Sequence, residues 1–318
     1  MPTHGDAERT PLTTAGLVAP IITLGLLLLF WRLGQKWLAI PVVVGIALFY
    51  MLVPRLVRSR LACFHKEALL LISSGRAAEV PKLARRNLLL QLFAPSAPID
   101  AKIGLALVQT GEHSRAIPHL EKALPSASAS ERPALQAALV RSLFVIGDPA
   151  RAETEGLAML DTGLRLPEVL IATARSRIGL ARLDDRTRAL LDEAEQSAAS
   201  DDVSLMVALT RIELALLAGR KPGEIPDGAD SSQRFVRTWI HLVRGRLREH
   251  RGDVEGAVES YGKAAREGAE QYCWFAGLAH ERLEQLAPAL GLTQPGTPPG
   301  ATGEDPSLHR KRKKRRGP

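Results

Sequence analysis

The chain has 318 residues, 46% of them apolar and only 4% aromatic, with a net charge of +8. Such a composition excludes a disordered polyelectrolyte, and two isolated cysteines, Cys63 and Cys273, exclude a disulfide framework or a cysteine zinc cluster. Seven of the eight excess positive charges fall in the last nine residues, so a nearly neutral body carries a basic tail. Each cysteine is expected to be buried and inert.

After a polar N-terminal arm, residues 1–14, the run Ala15 to Trp31 holds 17 positions without a charge, and Trp37 to Val53 repeats this after a five-residue turn. Each run reaches roughly 25 Å as a helix, close to the ~30 Å hydrocarbon thickness of a bilayer. Both runs are apolar on every face, which only a membrane or a large interior accommodates. A transmembrane helical hairpin over residues 15–54 is therefore expected. A cleaved signal peptide fits less well, because the arm (His4, Asp6, Glu8, Arg9) is not basic and a second apolar run follows at once. Arg9, Arg55, Arg58, Arg60 and Lys66 on one side outweigh Arg32 and Lys36 in the turn, which places both ends of the hairpin in the cytoplasm and the protein in the cell (inner) membrane.

Residues 61–290 read as a helical repeat array. Inter-helix turn signals occur at Gly75, Gly111, Gly147, Asp184, Gly219 and Gly252, spaced 36, 36, 37, 35 and 33 apart. Apolar-periodic stretches precede each signal and follow most of them, while Ala, Leu, Arg and Glu dominate, so an all-α fold of about six helix pairs plus a capping helix is predicted. In the unit around Gly111, small residues stand at Gly104, Ala116 and Ala123; around Gly252 they recur at the same offsets as Gly245, Ala257 and Ala264. Three units break the pattern: in the first, Val80 and not Ala follows Gly75 by five. Arg177 replaces the small residue seven before Asp184, and Gly219 is followed by Arg220-Lys221-Pro222-Gly223-Glu224-Ile225-Pro226, which cannot form a normal second helix. The stretch Gln271 to Leu290 is expected to close the solenoid, with Trp274, Phe275, Leu278 and Leu286 at its seam.

The segments Gly104 to Pro125 and Gly245 to Ala265 resemble the tetratricopeptide repeat (TPR) family: a small residue in the first helix, Gly followed by an acid at the turn, then Ala and a large apolar residue in the second. The segment Leu139 to Leu160 resembles it less closely. A membrane hairpin followed by a cytoplasmic TPR array is also similar, in topology alone, to the HemY-type membrane TPR proteins of bacteria. The TPR resemblance implies an α-solenoid whose concave face binds a protein or peptide. Counting back from the turn signals, as that resemblance implies, puts Arg141 and Phe144, Met206 and Leu209, and Trp239, Leu242 and Arg246 on this inner face, an apolar groove with a few charges. Ala101 and Leu105 stand where a carboxylate clamp would need lysine and asparagine, so capture of an acidic chain terminus is not implied.

Catalytic motifs are lacking. His280-Glu281-Arg282-Leu283-Glu284 begins like a zinc-protease helix but has Glu284 where the second histidine must stand, and Gly256 to Ala264 has neither the glycine spacing nor the hydroxyl of a phosphate loop. No enzyme, cofactor or metal is expected. Residues 291–318 form a Pro/Gly-rich linker and the basic tail Arg310, Lys311, Arg312, Lys313, Lys314, Arg315 and Arg316, suited to anionic lipid or nucleic acid. The composite expectation is a membrane-anchored, non-catalytic scaffold that binds a protein partner, with a tail-mediated tether for nucleic acid or ribosomes as the alternative.

Overall fold

The computed structural model describes residues 36–226, 228–269 and 273–286, together with Gly25 and Arg32. Among the described residues the chain forms thirteen α-helices and two short 3-10 turns, with no strand. The expected arm 1–14, the first apolar run 15–31 apart from Gly25, and the linker and tail 291–318 with Arg310, Lys311, Arg312, Lys313, Lys314, Arg315 and Arg316 lie outside the described residues.

Helix α1 (Lys36–Ser73) takes in the whole second apolar run and continues into the folded body, with Pro41 and Pro54 inside it. The helix runs without a break across 54–61, where the sequence boundaries put the end of the hairpin and the start of the repeat array. Among the described residues no helix is long and apolar enough to cross a membrane. Within 37–53 the backbone is described throughout and the side chains in part. In the second half of α1, Val57, Phe64 and Ala68 pack on Val80 and Ala84 of α2 (Val80–Arg86), Leu90 of α3 (Leu88–Phe93) and Ala106 of α4 (Ser96–Gln109), forming a small core of their own. Cys63, expected to be buried, lies on the outer side of α1 and is exposed, whereas Cys273 is buried.

The rest is a row of antiparallel helix pairs: α4 with α5 (His113–Ala123), α6 (Arg132–Ile146) with α7 (Pro149–Asp161), and α8 (Pro167–Gly179) with α9 (Asp185–Gln196). Then come α10 (Asp201–Leu217), α11 (Arg234–His250) with α12 (Val254–Gly268), and α13 (Trp274–Leu286). Among the described residues between Gly219 and Arg234 no helix forms; Pro222 and Pro226 remove backbone donors there, so a loop stands where the second helix of that pair was expected.

The same backbone closure recurs at six places. Gly75, Gly111, Gly147, Ala181, Gly219 and Gly252 all have positive φ. At each, the next residue's N–H reaches a carbonyl five positions back, as from Glu112 to Leu107 (2.8 Å) and from Asp148 to Leu143 (3.0 Å). This paired closure satisfies carbonyls that a helix end leaves open, and glycine adopts the left-handed geometry without steric cost. The fourth turn corrects the sequence reading. The left-handed residue is Ala181, at φ 57°, while Asp184 caps α9 by accepting from the N–H of Thr187 at 3.0 Å. Asp148, Ser200 and Asp253 cap α7, α10 and α12 in the same way.

Close approach explains the small residues. A Cβ on Gly104 would lie 2.8 Å from Leu120 Cδ2, and one on Gly245 would lie 2.5 Å from the Tyr261 ring. The pair α8–α9 solves the same problem differently: Arg177 fills the gap with a guanidinium that binds Glu153 of α7 at 2.6 Å and Asp184 at 2.5 Å. Helix α8 is the centre of the body, with Val169 to Ile178 all buried. A helix without an exposed face in that stretch has neighbours on every side, unlike a peripheral repeat helix.

Candidate partner-binding face

Most of the residues expected on the inner face are buried. Phe144, Met206, Leu209, Trp239 and Leu242 are buried in the main core, although Leu242 borders an open cavity together with Arg246, and Phe144 and Met206 border a smaller one together with Arg141. Helix α13 turns back across the C-terminal ends of α6 and α8 and covers Phe144 and Trp239. Its Phe275 stacks on Trp239 with centroids 4.9 Å apart and planes 7° apart, and Phe144 meets both rings edge-on, at 5.8 and 5.5 Å. Trp274 lies against Gly147 and Gly179, where any side chain would collide with the indole: a Cβ at either position falls 2.7 Å from it.

Beneath these rings sits a buried charge cluster. Glu213 of α10 is fully buried and accepts from Trp239 Nε1 at 2.9 Å and Arg175 Nη2 at 3.1 Å, with Arg246 as a third partner. The guanidinium of Arg175 lies 4.8 Å from the Trp274 ring centroid and 5.8 Å from that of Phe275. Burial pushes the Arg175 pKa down, Glu213 opposes this, and the charge of Arg246 adds to it. Sequence reasoning missed Arg175, although its signal was present: an arginine inside the apolar stretch Val169 to Ile178 has to find a carboxylate from another helix.

Two residues of the expected groove, Arg141 and Arg246, stay half-exposed. They lie in separate places. Arg141 donates to Gln233 Oε1 at 2.7 Å with its guanidinium 5.2 Å from the Phe235 ring centroid, and burial lowers its pKa. Arg246 borders an open cavity of about 470 Å³ between the end of α10 and helices α11, α12 and α13. Leu216, Leu217 and Leu278 supply its apolar wall, with Leu242 at the base; Arg246, Glu249 and Arg282 supply charge. Glu249 is held there by Tyr261 Oη, donating at 2.9 Å, and by Arg282 Nε at 3.0 Å, and these hydrogen bonds keep its carboxyl below the usual range. The cavity is a half-apolar recess in which Glu249 is paired with Tyr261 and Arg282.

Elsewhere, His280 Nε2 lies 3.4 Å from Glu284. Among the described residues no three His, Cys, Asp or Glu side chains come together in a way that could hold a metal ion. Residues Gly256 to Ala264 are interior to α12. No protein-family model, curated protein or solved structure matches the chain.

Proposed function

We propose that this chain is a membrane-anchored adaptor, in which spanning helices within residues 15–54 hold a TPR-like α-solenoid, residues 61–290, at the cytoplasmic face of the inner membrane, where it captures a protein partner without catalysis. The observation that carries the anchoring is the first half of α1. Leu48, Phe49, Tyr50, Met51 and Leu52 are five consecutive exposed residues, which covers more than a full turn, with Phe93 of α3 edge-on to Phe49 as a neighbour. An apolar helix that is exposed around a full turn is suited to lipid. The TPR-like reading is supported by the recurring left-handed closures and by the glycine contacts at Gly104 and Gly245.

Because α13 occupies the inner face, the partner's site moves to the recess beside Arg246. That recess suits a peptide presenting a small apolar cluster next to a charged group. Leu217, 54% exposed, can be changed without opening the core. In-cell crosslinking and affinity capture should recover one protein with the full chain and with a chain ending at Leu308, resist high salt, and fail with Leu217→Asp. Recovery of nucleic acid alone, lost with the tail or with salt, would replace this reading by the tail-mediated tether that the seven basic residues at 310–316 favour.

A further inference from the structure

We infer that the short helix α3 and the arginines around it form a second contact with the bilayer, an interfacial foot that docks on anionic lipid headgroups and fixes the tilt of the repeat domain. The inference rests on the anchoring reading above but concerns a different surface.

Three observations carry it. The first is position: Phe93 of α3 meets Phe49 of α1 edge-on, with centroids 5.9 Å apart, so α3 lies level with the end of the uncharged run. Arg55, the first charge after that run, is six residues beyond Phe49, roughly 9 Å along the helix at 1.5 Å per residue. Helix α3 therefore sits where hydrocarbon gives way to headgroups.

The second is the face it shows. Leu90 is buried against α1, whereas Leu88 and Leu92, one turn apart, are 68% and 54% exposed. Two leucines on one face of a short helix, continuous with the exposed Phe49 and Leu52, form an apolar edge suited to a shallow position in the acyl boundary.

The third is charge. Residues 36–100 contain nine Lys and Arg against three Asp and Glu. Arg55, Arg58, Arg60, Lys82, Arg85 and Arg86 are all exposed. Among the described residues none of the six sits in a salt bridge, and Glu79 beside them is taken by Arg76 at 2.8 Å. Basic side chains flanking an apolar edge at this depth match phosphate headgroups; a protein partner of the same shape would have no reason to be coplanar with the end of a spanning helix.

The test uses the full chain with Cys63→Ser, since Cys63 is the exposed thiol. Single cysteines replace Leu88, Leu92, Leu48 or Leu166 and carry an environment-sensitive fluorophore, in vesicles of phosphatidylcholine with or without phosphatidylglycerol, with quencher lipids labelled near the headgroup. Labels at 88 and 92 should be quenched strongly in the anionic vesicles, and the label at 166 should not. Arg85→Glu with Arg86→Glu should shift the docked-to-undocked ratio of α3 by roughly thirtyfold or more, restoring a water-like emission at 88. If the label at 48 reports lipid while those at 88 and 92 report water in both vesicle types, the foot does not exist and the anchor stands. If 48 reports water while 88 and 92 report lipid, the foot stands and the spanning reading falls.

Discussion

Glu213→Ala is the most demanding substitution for the buried centre. It deletes the one carboxylate shared by Arg175, Arg246 and the Trp239 N–H. Arg175 is 2% exposed and cannot turn to water, so it is left as a buried cation facing the Trp274 and Phe275 rings, at a cost of about 3–5 kcal/mol. The orphaned indole donor adds about 1–3 kcal/mol. Arg246, whose side chain is 27% exposed, can rehydrate and adds little. The lower end of that sum, about 4 kcal/mol, corresponds to a drop in Tm of roughly 8–16 °C for a body of this size. The assay is thermal unfolding of the full chain in detergent micelles, followed by circular dichroism in the helix band. Arg175→Met combined with Glu213→Leu removes both charges and should cost less than Glu213→Ala alone, because no uncompensated ion remains. A Tm within about 2 °C of the parent for Glu213→Ala, or additivity of the two single changes in the double variant, would refute the reasoning.

Gly147→Ala should lower the urea midpoint distinctly more than Gly75→Ala: both residues are left-handed, at φ 85° and 75°, but the new methyl at 147 also drives into Trp274 while that at 75 meets open space. The shared strain is about 1–2 kcal/mol, and any excess at 147 reports docking of α13. His113 is buried 3.3 Å from Ser142 Oγ and edge-on to Phe235; burial first, and Arg141 second, push its pKa down to about 3. The unfolded chain thus binds a proton that the folded one refuses. Stability from this group is complete above the unfolded pKa of about 6.5 and falls on acidification towards 3, by up to ~1.4 kcal/mol per pH unit. Urea unfolding of His113→Gln between about pH 7.5 and about pH 5 should show a flatter pH dependence than the parent. Thiol titration should find Cys63 reactive in the folded protein and Cys273, its thiol pushed up to about 11 by burial, reactive on unfolding alone.

The helical architecture was legible because its determinants are local. Five of the six turns are glycines at the expected positions, and Pro222 with Pro226 marked the missing helix. The fourth turn was misplaced because Ala181 carries no signature of left-handed geometry, whereas Asp184, a good cap, resembles the glycine-acid turns of the other units. Spacing put Phe144 and Trp239 on one face, and the two rings do meet. That this face would be covered by Trp274 and Phe275 was not legible, because contacts across more than a hundred residues have no local periodicity. The glycines at 147 and 179 and the arginine at 175 complement those two rings, and each of them had a simpler local explanation.

The central claim is that the exposed apolar half of α1 is held in a bilayer with the repeat domain on the cytoplasmic side. Its most direct test is labelling of Leu166→Cys, in a Cys63→Ser background, with a membrane-impermeant maleimide on intact cells and on inverted membrane vesicles washed with alkaline carbonate. The account predicts that the chain stays with the carbonate-washed membranes and that residue 166 reacts in inverted vesicles but not in intact cells. Release of the full chain by carbonate, or labelling from outside intact cells, would contradict it.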